Sequence, residues 1–161
     1  MNKLRVLKII PGTIVDGPGI RTSIYFAGCK HFCQGCHNPG SWNMNGGKEM
    51  SVQEILQIIC ENNFNITLTG GDPLFQDVFS LIDLLKNIKQ YNYNVWLYTG
   101  FTFQQIMNND DFKNIINYVD AIVDNKFDIT KKDDSLKFRG SSNQNIYTKT
   151  NNIWNICQDY D

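Results

Sequence analysis

Two spacings of apolar residues alternate along this chain. Residues 6–10 form a short mixed apolar run stopped by Pro11-Gly12. Residues 22–26 (Thr-Ser-Ile-Tyr-Phe) alternate and are rich in β-formers, so both segments read as strands. At Ser51 the spacing changes. Ser51-Val52-Gln53-Glu54 is a capping-box pattern, and Ile55, Leu56, Ile58 and Ile59 follow at helical intervals, which predicts a helix to about Asn62. Residues 65–69 read as a strand closing on Gly70-Gly71-Asp72-Pro73, and 77–90 as a helix with apolar residues at Val78, Phe79, Leu81, Ile82, Leu84, Leu85 and Ile88. A strand over 94–99 breaks at Gly100. Helical pieces follow over 102–107 and 111–118, then a short buried strand, Ala121-Ile122-Val123, delivers Asp124. Beyond Lys131 the pattern fades. The chain therefore reads as a single domain over 1–161, with its motifs in a core of about 5–144 and a weakly defined tail over 145–161.

Strand–helix alternation predicts an α/β fold with a mostly parallel sheet under covering helices. Such sheets gather their chemistry at the carboxyl ends of strands. Every unusual segment here falls at such an end: the cysteine-rich loop after residue 26, Gly70-Gly71-Asp72-Pro73, Thr99-Gly100 and Asp124-Asn125-Lys126. A closed eight-fold barrel takes about 250 residues. With 161 residues, an open partial (β/α) barrel of about five or six mostly parallel strands is expected.

Composition narrows the class. The 42% apolar content supplies a core, and a net charge of −1 offers no basic field for nucleic acid or an anionic membrane. No apolar run approaches the roughly 18 residues of a membrane span. Met1-Asn2-Lys3-Leu4-Arg5 leads into a strand, not a signal-peptide core, so a cytoplasmic enzyme without nucleic-acid or membrane partners is expected.

The five cysteines include a tight group, Cys29-x3-Cys33-x2-Cys36. Thiolates at that spacing can converge on one soft metal centre. Three ligands on a four-iron cluster would leave one iron open to substrate. A structural zinc with His31 or His37 as fourth ligand is the alternative, although paired Cys-x2-Cys units are the commoner zinc pattern. Otherwise each histidine reads as an idle loop residue. Cys60, on an apolar-periodic helix, reads as a core thiol. Gly70-Gly71 permits close backbone approach, and Asp72 adds an acceptor. In Asp16-Gly17-Pro18-Gly19-Ile20-Arg21, turn chemistry precedes an arginine able to grip a carboxylate or phosphate. Arg139-Gly140-Ser141-Ser142-Asn143-Gln144 reads either as a flexible tail or as a loop facing a partner.

Together these motifs resemble the radical S-adenosylmethionine superfamily. Cys29-x3-Cys33-x2-Cys36 matches its cluster motif, Gly70-Gly71-Asp72-Pro73 its Gly-Gly-Glu-type motif, and residues 16–21 the opening shared by glycyl-radical-enzyme activases. Within these, residues 36–38, 69–74, 95–101, 123–127 and 135–144 are similar to the activating proteins of anaerobic ribonucleoside-triphosphate reductases. The sequence departs from wider relatives at Asp72, usually glutamate; at Gly35, often aromatic; at His37, often tyrosine; and at Asn125, often glycine.

The resemblance implies a [4Fe–4S] cluster on Cys29, Cys33 and Cys36, with S-adenosylmethionine bound by Gly70, Gly71, Asp72, His37, Asn38, Thr99 and Asp124. It further implies Arg21, Arg139, Ser141 and Asn143 as partner contacts. One electron from an external donor such as a flavodoxin would cleave S-adenosylmethionine. The 5′-deoxyadenosyl radical would then place a glycyl radical on the reductase's glycyl-radical subunit. Another small radical enzyme of the superfamily (a different activase or a deazaguanine synthase) and a zinc-stapled interaction module are the competing readings.

Overall fold

The computed structural model describes residues 2–160. Its strands are β1 (Lys3–Thr13), β2 (Arg21–Phe26), β3 (Lys48–Ser51), β4 (Asn65–Gly70), β5 (Val95–Tyr98), β6 (Ala121–Val123), β7 (Ile146–Thr150) and β8 (Ile153–Ile156). Its helices are α1 (Val52–Asn62), α2 (Val78–Gln90), α3 (Phe103–Met107) and α4 (Asp110–Ile116). One mixed sheet runs β3-β1-β2-β4-β5-β6-β7-β8.

Its centre, β2-β4-β5-β6, is parallel, because α1, α2 and the α3–α4 pair each carry the chain back to start the next strand. Both flanks are antiparallel: β3-β1-β2 on one side, β6-β7-β8 on the other. This corrects the expectation of five or six mostly parallel strands. The missed strands β3, β7 and β8 have no crossover helix to announce them: β3 pairs back with the distant β1, and β7 and β8 form a hairpin. β1 also runs through Pro11-Gly12, which a register shift between Ile10 and Thr13 absorbs. The faded region after residue 131 ends in the β7–β8 hairpin, turned by Asn151 and Asn152 at φ 52° and 62°.

The helix signals hold. Ser51 and Glu54 close a reciprocal capping box on α1. Asp77 caps α2, and Thr102 with Gln105 boxes α3.

Helices cover one face of the sheet. Ile24 and Phe26 of β2, Ile66 and Leu68 of β4, and Val95 and Leu97 of β5 pack there with Ile55, Ile59, Leu81, Leu84, Leu85 and Ile88 in the main core. The period-two alternation of strands sends their neighbours to the opposite face. There Trp96, Ala121, Val123 and Ile146 form a second cluster with Phe138 and Tyr160 packed against it. That face also carries a buried polar layer: Arg21, Thr67 and Ser23, with Tyr25 and Tyr98 half-buried beside them. Among the described residues no helix is long and apolar enough to cross a membrane.

Candidate iron–sulfur site

The carboxyl ends of the parallel strands open into one cavity of about 560 Å³. β2 delivers the cysteine loop to it, β4 delivers Gly70 and Gly71, β5 delivers Tyr98, Thr99 and Gly100, and β6 delivers Asn125, Lys126 and Phe127. His37, Asn38, Arg139, Gly140 and Gln144 complete its wall.

The cysteine loop leaves β2 along defined main-chain bonds. Gly28 N–H donates to Ser41 (2.7 Å), and Cys29 N–H to Trp42 (3.3 Å). The loop turns through Gly35 at φ +75°. The missing aromatic side chain there has a physical reason: a Cβ on Gly35 would stand 2.8 Å from Ile129, besides the strain of positive φ. Asn125 adopts φ 74°, a left-handed conformation that asparagine tolerates.

All three thiols face the cavity, Cys29 buried and Cys33 and Cys36 half-buried. Each sulfur meets a main-chain N–H: His31 for Cys29, Phe127 for Cys33, and Asn38 at 3.4 Å for Cys36. Burial pushes the Cys29 thiol up to about 11 and raises Cys33 as well. A metal must therefore displace protons to bind here. Among the described residues no three His, Cys, Asp or Glu side chains close on a single-ion site. Zinc would need its thiolates about 2.3 Å from one point; of the two histidines offered as a fourth ligand, His31 is committed to Asp72 (2.8 Å), while His37 lines the cavity beside the cysteines. Thiolates aimed into one cavity, each opposite an N–H, are the donor set of an iron–sulfur cluster, whose sulfurs accept such bonds. The residues present fit that group.

Gly70 and Gly71 line the cavity, but their close approach is to protein backbone. Gly71 N–H donates to Phe26 (2.8 Å) and Asp72 N–H to Gly28 (2.9 Å), zipping the end of β4 to the root of the cysteine loop. A Cβ on Gly71 would lie 2.4 Å from the Gly28 carbonyl oxygen.

Several expectations are corrected. Asp72 is 1% exposed and does not line the cavity. Its Oδ2 accepts from His31 Nε2 (2.8 Å), Thr99 Oγ1 (2.8 Å) and Gly100 N (2.9 Å), and its Oδ1 from Leu74 N (2.9 Å). Both of its oxygens bind loops together away from the cavity. Asp124 is likewise consumed, by Phe103 N–H (2.9 Å) and Asn145 N–H (3.0 Å). Arg21 sits at 1% exposure at the amino end of β2, away from the cavity. It donates to Thr67, Pro18, Ile66 and Asn94 and lies over Trp96. Burial pulls the guanidinium down to about 10, still charged near neutrality, and it is unavailable to a partner. Ser141 is fully buried, with its hydroxyl accepting from Asp128 N–H (3.1 Å).

Asn143 lies outside the main cavity, in a polar side hollow with Gln34 and Lys126, where its amide donates to Lys126 (2.8 Å). Cys60 is exposed, not a core thiol.

The 139–144 segment is an ordered loop, not a tail. Gln144 Oε1 accepts from Gly140 N (2.9 Å) and Ser141 N (3.1 Å), and its amide donates to Asn125 (3.1 Å). Gln144 and Phe127 were missed as site residues; the glutamine was legible only as the end of a motif, and the phenylalanine acts through its main chain. Tyr98 lines the cavity with a buried hydroxyl that has no hydrogen-bond partner among the described residues.

Fold and site together define an α/β protein organised around one iron–sulfur cluster. A model of the "4Fe-4S single cluster domain" family matches residues 15–147. Curated relatives named anaerobic ribonucleoside-triphosphate reductase-activating protein include one from Pasteurella multocida, 34% identical over 91% of this chain and 99% of its own length. Another, from Enterobacteria phage T4, is 31% identical over 91% and 96%. A third, from Escherichia coli K12, is 34% identical over 85% and 94%. The chain belongs to this family of reductase-activating proteins. Its fold is similar to the crystal structure of QueE from Escherichia coli, with a TM-score of 0.52 at 16% identity over 62% of this chain and 54% of that one.

Proposed function

We propose that this chain is a radical S-adenosylmethionine enzyme that installs a glycyl radical on an anaerobic ribonucleoside-triphosphate reductase. Family membership supports the activity. The observation that carries it to these residues is the set of three cysteines in one cavity, each sulfur opposite a main-chain N–H.

Cys29, Cys33 and Cys36 would hold three irons of a [4Fe–4S] cluster and leave the fourth without a protein ligand. When bound, the cluster and S-adenosylmethionine supply one-electron cleavage of the sulfonium and a 5′-deoxyadenosyl radical that removes a hydrogen atom from a reductase glycine. The chain positions these groups and shields them. Its strand ends fix the cysteine loop, Gly70, Gly71, Thr99, His37 and Asn38 form the wall assigned to S-adenosylmethionine, and the Tyr98 hydroxyl offers an unused hydrogen bond to an occupant. Arg139 lies on the same wall, where a reductase loop would enter, and Asn143 is assigned to the rim beside it.

An open-barrel curl of the parallel strands belongs to this reading, because the substrate is a loop of another protein and needs a wide mouth. So do a single domain, a flavodoxin-like external donor and a reducing cytoplasm, the last in keeping with five free cysteines.

The test is anaerobic reconstitution with iron and sulfide, reduction with S-adenosylmethionine, and incubation with the reductase. The expected products are 5′-deoxyadenosine and a glycyl doublet in the electron-spin spectrum of the reductase, both abolished by Cys33→Ala. A chain that binds zinc and leaves S-adenosylmethionine intact would refute the proposal.

A further inference from the structure

A buried polar node stands at the cavity wall. His31, inside the cysteine loop, has a side chain only 7% exposed. Its ring packs against Phe75 and Phe101, with centroids at 5.2 and 4.7 Å. Its Nε2 meets Asp72 Oδ2 at 2.8 Å, and a Cβ on Gly100 would fall 2.4 Å from the ring. Asp72 in turn gathers Thr99, Gly100 and Leu74. The His31 main-chain N–H faces the Cys29 sulfur. One residue thus touches the sulfur through its backbone and the ends of β4 and β5 through its ring.

We propose that His31 is a positioning residue, a latch that holds the first cysteine of the loop, and the N–H opposite its sulfur, in place through the buried Asp72 carboxylate. An ionised carboxylate only accepts, so in this contact the histidine Nε2–H is the donor to Asp72. This inference rests on the cluster reading for its redox consequence, but not for its geometry.

The geometry predicts two separable effects. In the apo chain, His31→Ala frees the loop, and Cys29 should be alkylated at least tenfold faster, with exposed Cys60 as an unchanged internal reference. In the reconstituted chain, losing the N–H against the sulfur destabilises the more negative, reduced cluster. The midpoint potential should fall and the electron-spin spectrum of the reduced cluster should broaden. His31→Gln, whose amide can still donate to Asp72, should restore both readouts most of the way. Asp72→Asn should reproduce the His31→Ala alkylation rate, and the double variant should add little to either, as expected for two members of one unit.

Site-resolved alkylation of the apo variants, followed by redox titration of the reconstituted ones, tests this. Wild-type Cys29 reactivity in both His31→Ala and Asp72→Asn, or a potential unmoved in His31→Ala, would overturn the latch. If His31→Ala does not fold, His31→Gln and Asp72→Asn carry the same comparison. A wild-type chain that takes up no cluster would sink the iron–sulfur reading, while the alkylation rates would still decide the latch.

Discussion

At the scale of single residues, burial decides role. Arg21 is a charge placed beneath the sheet that donates to neutral acceptors, with no carboxylate bonded to it among the described residues. Removing it strands those acceptors. Arg21→Ala should cost about 3 kcal/mol or more in denaturant unfolding of the apo chain. Arg21→Lys should recover little, because an ammonium cannot span the fork. Tyr98 is the opposite case. Its hydroxyl is buried without a partner and burial holds it protonated far above its ordinary range. Tyr98→Phe should leave apo stability unchanged or raise it by up to about 1 kcal/mol, while lowering 5′-deoxyadenosine formation or glycyl-radical yield in the reconstitution assay. Equal activity would show that no occupant uses the group.

Secondary-structure elements are held by their ends. The Ser51–Glu54 box is worth about 1 kcal/mol, so Ser51→Ala should lower stability by that amount without touching cluster content. Hydrogen bonds from Ser51 hold the Glu54 carboxylate below its ordinary 4.5, and those from Ser80 hold Asp77 below 3.8. Asp128 and Asp133 are lowered likewise by Thr130 and Ser135. A depressed folded value means that each contribution is complete above the ordinary value and is lost as pH falls through the depressed one. Stability should therefore be insensitive to these groups near neutrality and decline below about pH 4, which an acid titration of the melting temperature would check. Between elements, the Gly71–Phe26 and Asp72–Gly28 bonds join β4 to the cysteine loop. Gly71→Ala forces a Cβ against the Gly28 carbonyl, costs about 1–3 kcal/mol, and should reduce iron retained per chain after gel filtration.

For the whole molecule, the β7–β8 hairpin closes what the parallel core leaves open. It pairs with β6, and Ile146 seals Trp96 and Val123. Deleting 146–161 would leave a bare strand edge and an uncovered aromatic cluster. The truncated chain should aggregate, as sedimentation would show. The hairpin's own outer strand keeps Ile153 and Ile156 exposed.

The parallel core was legible because each of its strands is followed by a helix whose spacing and caps are written locally, and a strand–helix order fixes where carboxyl ends gather. The cysteines were legible as a site because three thiols so closely spaced have few other uses. The outer strands β3, β7 and β8 were not, since they are short and half-exposed, and β3 and β7 are held by partners distant in the sequence, β1 and β6, instead of by a pattern of their own. Nor were the true roles of Arg21, Asp72, Asp124 and His31. A sequence shows that a polar side chain is capable of binding, but only the tertiary structure shows whether its hydrogen bonds are already spent. All four turn inward: Asp72, Asp124 and His31 bind the backbone and loops around the cavity, and Arg21 binds acceptors at the opposite end of the sheet.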